Sequence, residues 1–276
     1  MFSEPMTPST TEAPVAAPRY SVVVPVFNEA DNIGPFCRRA RSQLPGDYEL
    51  LICYDFDADN TLPAVGALSA EERPAQLRLV KNNLGKGVRY AIESGMQAAV
   101  APVVLVTMAD LSDDFAGVEE MVRRVEAGAD VVCGSRYIQG GEQIGGPRLK
   151  GLLSRAAGLS MRWLAGFPVH DPTNSFKAYS RAFLLRTPIE STAGFCLGLE
   201  LTVKAHLAGG RVEEVPARWQ DRATGQSRFR LWQWLPHYLR WYFQAFRHST
   251  RAALLAAAGL VLLLALILLA FFGPGY

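Results

Sequence analysis

The chain has 276 residues, 28 Lys and Arg against 26 Asp and Glu, and a formal net charge of +2. That length suits one large domain or two small ones, and the near-balance of charge argues against a nucleic-acid binder, which should carry a strong basic excess. Cys37, Cys53, Cys133 and Cys196 form no CxxC pair and no metal-like spacing; Cys53 and Cys133 lie in apolar runs and read as small core hydrophobes, and a reducing compartment fits the set.

Residues 1–18 are rich in Pro, Ser, Thr and Ala and lack a basic segment followed by an apolar core. They read as a disordered lead-in and not as a secretory signal. From Tyr20 the pattern alternates. "YSVVVPV" predicts a strand and the residues from about Glu29 to Ser42 a helix. "YELLICYD" and "LRLVK" predict the next strands, and "GVRYAIESGMQAAV" a helix. "VVLVTM" predicts a fourth strand, "FAGVEEMVRRVEAG" a helix, and "ADVVCGS" a fifth strand. Continuous apolar strands alternating with helices predict an α/β fold, with a mostly parallel sheet flanked by helices on both faces.

In such a sheet, ligands sit at the C-terminal ends of the strands. Those ends read "PVFNEADN", "DFDADNT", "NNLGKG", "ADLSDD" and "GSRYIQGG". All are polar, with recurring carboxylates and amides. Short acidic loops also start helices as caps, so the joint placement carries more weight than any one loop. The chain has no GxGxxG after the first strand, no GxxxxGK[ST] and no GxSxG. A dinucleotide-binding dehydrogenase, a P-loop NTPase and an α/β-hydrolase are therefore disfavoured.

Residues 229–248, "FRLWQWLPHYLRWYFQAFRH", interleave aromatics with Arg and His. They predict an amphipathic interfacial helix, or a helix packed on its own domain, or one that does both. Residues 252–272 contain only Ala, Leu, Gly, Val, Ile and Phe. About 20 such residues cross a bilayer as a helix, so this stretch predicts a C-terminal transmembrane helix. Arg247, His248 and Arg251 precede it and nothing charged follows. The positive-inside tendency then makes the chain single-pass, with the large N-terminal domain cytoplasmic.

Across residues 19–230, "SVVVPVFNEADNI", "DFDADNT", "NNLGKG", "MADLSDD", "GSRY", "DPTNSFKAYSR" and "EVPARWQDRATGQSR" resemble, in content and order, family 2 glycosyltransferases with the GT-A fold. Within that family the chain looks closest to polyprenol-phosphate sugar transferases, such as the dolichyl-phosphate mannose synthases. The resemblance implies a GT-A domain over 19–228 and an inverting transfer from a nucleotide-diphosphate sugar to a polyprenyl phosphate at the membrane. It also implies Mg²⁺ or Mn²⁺ as cofactor. An oligomer or a membrane partner subunit stays open.

By the same resemblance, Pro25, Asn28, Glu29, Asp55 and Lys86 line the nucleotide. Tyr54 stands where the family usually has an aspartate, and Asp59 matches a recurrent family aspartate. Asp57 and Asp59 also suit turn chemistry. The family's DxD metal motif reads Met108-Ala109-Asp110 here, without its first carboxylate. A thioether is too soft for Mg²⁺ or Mn²⁺. Mg²⁺, however, usually takes one or two carboxylates together with substrate phosphate oxygens and water, so Asp110 with the donor's diphosphate suffices. Ser112 or Asp113 adds a contact, or caps the following helix. Arg136, Lys150, Ser154, Arg222 and Arg228 fall where the resemblance implies acceptor-phosphate contacts, or are solvated charges. Asp171 matches a family aspartate and is a base for an alcohol acceptor, or organises its own loop. Two other readings compete: the same donor site serving a polysaccharide or another lipid, and a nucleotide-sugar-binding membrane protein weakened in catalysis by Tyr54 and Met108.

Overall fold

The apolar runs become the strands of one twisted sheet. In the computed structural model, which describes residues 17–192, 194–222, 231–251, 253–255 and 258, β1 (Tyr20–Pro25) leads to α1 (Ala30–Gln43), β2 (Tyr48–Tyr54) to α2 (Thr61–Gly66), and β3 (Leu77–Lys81) to α3 (Val88–Ala98). β4 (Val103–Val106) and α4 (Val118–Glu126) follow, then β5 (Val131–Ser135), β6 (Glu142–Ile144) and α5 (Arg148–Ala165). Next come β7 (Lys177–Ser180), α6 (Arg181–Arg186), α7 (Cys196–Leu207), β8 (Val212–Pro216), β9 (Arg218–Gln220) and α8 (Leu231–Gln244).

Seven strands form the main sheet in the order β3-β2-β1-β4-β7-β5-β8. Every pairing is parallel except those of β7, which inserts antiparallel between β4 and β5. This insertion positions the site. Lys177 opens β7 opposite both Val106 and Cys133, near the ends of the parallel strands. The loop entering β7, with Asp171 and Asn174, is thereby placed at the same edge as the loops leaving β1, β2, β4 and β5. β6 and β9 pair as a separate two-stranded sheet that brings Trp219 against Asp113.

Both faces of the main sheet are covered, as strands without polar alternation require. On one face Val22, Leu50 and Leu105 pack with Ile33 and Phe36 of α1 and Met121 of α4. On the other, Val23, Leu51 and Val104 pack with Ile92 of α3, Leu201 of α7 and Trp241 of α8. The four cysteines are buried free thiols, and burial pushes the Cys53 thiol up to about 12.

The helix expected at 229–248 forms over Leu231–Gln244 and packs on its own domain. Trp241 is buried and donates through Nε1 to Ser191 Oγ at 2.9 Å, while Phe243 is 65% exposed. No helix among the described residues is long and apolar enough to cross a membrane. The expected lead-in up to residue 16, Arg228 and most of the apolar stretch 252–272 lie outside the described residues.

Candidate active site

The first three strand ends are tied together by side-chain bonds. Asn28 sits at φ 56, a left-handed conformation that asparagine tolerates better than most residues. Its N–H donates to both oxygens of Asp59, at 3.0 and 3.1 Å. Asp59 is buried and also accepts from Thr61 N–H at 2.8 Å, and Thr61 Oγ1 accepts from Glu29 N–H at 2.9 Å. Asp59 therefore acts through turn chemistry, fixing the loop that carries Pro25, Asn28 and Glu29. Asp57 is exposed and pairs with Lys81.

Asp55 braces the neighbouring loop in the same way. Its Oδ1 accepts from Asn82 Nδ2 and its Oδ2 from Gly87 N–H, both at 2.7 Å. Gly87 is at φ 108, open to glycine and strained for other residues. Asp55 thus fixes the turn that presents Lys86, whose side chain is exposed. Phe27 and Phe56 meet edge to face at 5.4 Å between ring centres beside these loops, with Phe27 exposed. Sequence reading missed this pair; an aromatic in each of two adjacent strand-end loops was the available signal.

After β4 the chain turns sharply. Leu111 is at φ 62, an uncommon conformation for a bulky residue that recurs at functional loops. Asp110 Oδ1 accepts from Ser112 N–H at 3.1 Å, and Oδ2 pairs with Arg222 Nη2 at 2.8 Å. Met108, at the position of the missing carboxylate, packs against the apolar cluster beneath α3 and α7. Asp113 is buried, and its Oδ2 accepts from Thr107 Oγ1 at 2.8 Å and Met108 N–H at 3.4 Å. Burial, aided by the charge of Asp110, pushes the Asp113 carboxyl up to about 7. Ser112 is buried too, and its carbonyl accepts from Gln220 N–H.

The loops after β5 and before β7 meet over α5. Arg136 and Asp171 form a fork: Nε donates to Oδ2 at 2.7 Å and Nη2 to Oδ1 at 2.9 Å. The Arg136 side chain is 9% exposed and that of Asp171 0%. Burial opposes the charge of Arg136, but the charge and hydrogen bonds of Asp171 outweigh it and raise the pKa. Arg136 Nη2 also reaches Ser154 Oγ at 3.1 Å, and Ser154 Oγ lies 2.6 Å from Thr173 Oγ1. Lys150, on the same helix as Ser154, is partly buried near Arg136 and Arg222. Burial, then those two cations, pull its ammonium down to about 8.

Beneath this cluster lies a cation that sequence reading missed. Lys177 is fully buried, and its Nζ donates to Pro172 O at 2.6 Å, Gly198 O at 3.0 Å and Thr202 Oγ1 at 2.9 Å. Three acceptors match the three donors of an ammonium, and the bond to Pro172 holds the loop carrying Asp171. Gly158 lets α5 approach that loop: a Cβ there would stand 1.9 Å from His170 O. His170 is itself held by Glu214, which accepts its N–H at 2.9 Å.

Asp110, Ser112, Arg136, Lys150, Ser154, Asp171 and Arg222 therefore meet in one crevice, with Asn28, Glu29, Asp55 and Lys86 on the adjoining loops. Asp110 offers a hard carboxylate oxygen, held by Arg222, and that donor type fits Mg²⁺ or Mn²⁺. Among the described residues no group of three His, Cys, Asp or Glu side chains is placed to hold a metal. A cation here would therefore rest on Asp110 together with a ligand's own oxygens, and would compete with Arg222.

Comparison with known proteins extends the pattern. Residues 21–186 match the family model described as glycosyl transferase family 2. The polyprenol monophosphomannose synthase of Mycolicibacterium smegmatis is 31% identical over 76% of this chain and 80% of that protein. The dolichol-phosphate mannosyltransferase of Pyrococcus furiosus is 26% identical over 80% of this chain and 63% of that protein. Among solved structures, glucosyl-3-phosphoglycerate synthase from Mycobacterium tuberculosis, in complex with Mn²⁺, UDP and phosphoglyceric acid, superposes with a TM-score of 0.60 at 18% identity. The match covers 84% of this chain and 80% of that one, and at that identity it speaks for the fold.

Proposed function

The chain belongs to glycosyl transferase family 2, and from that premise we propose that it moves a sugar, with inversion, from a nucleotide-diphosphate donor to a polyprenyl phosphate at the cytoplasmic face of a membrane. The observation that carries the acceptor half is the basic cluster of Arg136, Lys150 and Arg222 gathered beside Asp110, with Arg222 Nη2 2.8 Å from Asp110 Oδ2. The names of the two relatives, both polyprenol- or dolichol-phosphate enzymes, support the same reading.

A phosphate monoester acceptor loses its second proton near pH ~6, so it arrives as an anionic nucleophile and needs no general base. Asp171 agrees with that chemistry: both its oxygens are committed to Arg136, and it serves as a positioning residue. In this reading Lys150 and Arg222, with the charge of Arg136 behind them, neutralise and align the attacking phosphate. The loops fixed by Asp55 and Asp59 hold the nucleotide, with Lys86 toward its phosphates. A divalent cation on Asp110 supplies Lewis-acid stabilisation of the departing diphosphate when bound. Arg222 holds Asp110 until the donor brings its own phosphate oxygens.

Membrane attachment belongs to the same proposal. Residues 252–272 are apolar throughout, and the faces of α5 and α8 turned from the domain expose Leu152, Trp163 and Phe243. In this reading the apolar stretch inserts with Arg247, His248 and Arg251 on the cytoplasmic side, as the positive-inside tendency favours.

Calorimetric titration of nucleoside diphosphate with Mg²⁺, then a turnover assay over a donor panel, tests the reading. Binding that is weakened by Asp110→Asn, with nucleoside diphosphate released only when polyprenyl phosphate is present, is the expected result. Binding without turnover on any donor would favour a non-catalytic nucleotide-sugar binder.

A further inference from the structure

A second basic site lies at the far end of α5. Arg162, Trp163, Gly166, Phe167, Pro168 and Arg251 line a hollow of about 430 Å³. Arg162 lies eight positions beyond Ser154, about 12 Å along the helix, so this hollow is distinct from the crevice. Gly166 ends α5 at φ 65, and the segment before Arg251 is tethered to that end by Ser249 Oγ, which donates to Leu164 O. Arg162 Nη1 donates to Pro168 O at 3.2 Å.

Among the described residues no carboxylate lines the hollow, and neither Arg162 nor Arg251 is in an ion pair. Two guanidinium groups lining one hollow suit an anion, and a guanidinium can meet a phosphate in bidentate fashion. Trp163 stands beside them 74% exposed. An indole with an apolar body and one N–H donor suits the boundary between headgroups and acyl chains. The apolar stretch 252–272 begins immediately after Arg251.

We infer that this hollow binds the headgroup phosphate of an anionic glycerophospholipid, with Arg162 and Arg251 on the phosphate and Trp163 at the acyl boundary. The inference rests on the proposal that residues 252–272 span the bilayer. Its occupant is a bulk membrane lipid and not the sugar acceptor. A lipid held there would fix how far the catalytic domain stands from the membrane face, since α5 carries Lys150 and Ser154 at its other end.

The test uses the full chain reconstituted in phosphatidylcholine vesicles carrying a minority of phosphatidylglycerol, with bromine on the acyl chains of one lipid at a time. The difference between wild type and Trp163→Phe isolates the Trp163 signal. At equal mole fraction, brominated phosphatidylglycerol should be enriched about tenfold over brominated phosphatidylcholine beside Trp163. The double variant Arg162→Gln/Arg251→Gln should lose that enrichment while still floating with the vesicles and transferring sugar in detergent. Equal quenching by both lipids, or enrichment that persists in the double variant, would overturn the inference and leave the proposed function standing. A chain that does not float with either vesicle would overturn the membrane span as well. An Arg-dependent Trp163 response to inorganic phosphate in lipid-free micelles, equal to that with lipid, would assign the hollow to free phosphate instead.

Discussion

Asp171→Asn separates a positioning carboxylate from a catalytic base. In the native protein Asp171 accepts from Arg136 Nε at 2.7 Å, Arg136 Nη2 at 2.9 Å, Arg136 N–H at 3.2 Å and Thr173 Oγ1 at 3.3 Å. Replacing one oxygen by an amide nitrogen points a donor at the guanidinium and leaves the buried charge of Arg136 unpaired. Breaking a buried pair from one side costs about 3–5 kcal/mol. For a domain of this size that is a fall in melting temperature of roughly 6–20 °C. Removing both charges, in Arg136→Met/Asp171→Leu, should restore much of the loss, because the penalty lies in the orphaned charge more than in the absent pair. Thermal unfolding of the full chain in detergent, followed by tryptophan fluorescence, reads both variants. If Asp171→Asn stays within about 1 kcal/mol of wild type and only turnover falls, the fork is not what Asp171 is for, and the base assignment returns.

The remaining predictions follow from the same geometry. Lys150, pulled down to about 8, loses its charge as pH rises through that value, so the KM for acceptor phosphate should climb above pH 8, while Lys150→Arg should keep it flat. Asp113 has its carboxyl pushed up to about 7. The fold favours its protonated form, so its contribution is fully present below the ordinary aspartate value of ~4 and is lost as pH rises through about 7. Urea unfolding should therefore show wild type losing stability relative to Asp113→Asn across that window, and a parallel pair of profiles would refute the assignment. Gly158→Ala places a Cβ 1.9 Å from a carbonyl oxygen; it should shift α5 from the loop of Asp171 and lower acceptor use at least tenfold, with donor binding measured by calorimetry unchanged.

The first half of this architecture was legible because it obeys simple periodicities. The strands from Tyr20 to Ser135 are apolar runs that end in polar loops, and they formed where expected. The second half defeats those rules for physical reasons. α7 is buried on nearly every side, so no stripe of polar residues marks it as a surface helix. β7 opens with Lys177, a charge that reads as solvent-facing until its three acceptors are seen. α5 carries apolar residues outward and Lys150 and Ser154 inward, the reverse of an ordinary surface helix. The motifs named most of the residues that the structure brings together at the crevice, but not their partners. Arg136 and Asp171 are 35 positions apart, and only the insertion of β7 between β4 and β5 joins them. Asp55 and Asp59 could be placed in the loops after the strands, yet sequence does not tell a ligand contact from a brace. Met108 was the clearest departure: it packs against the apolar cluster beneath the sheet, and Asp110, paired with Arg222, is left as the carboxylate of that motif.

The most direct measurement is a competition between two acceptors. The full chain in detergent, with Mg²⁺ and a panel of nucleotide-diphosphate sugars, is offered equal amounts of a polyprenyl phosphate and the same polyprenol without phosphate, and the lipid products are read by mass spectrometry. A phosphate nucleophile predicts a sugar-phosphate-linked lipid from the phosphorylated acceptor and none from the alcohol. Equal transfer to both, or transfer to the alcohol alone, would contradict it.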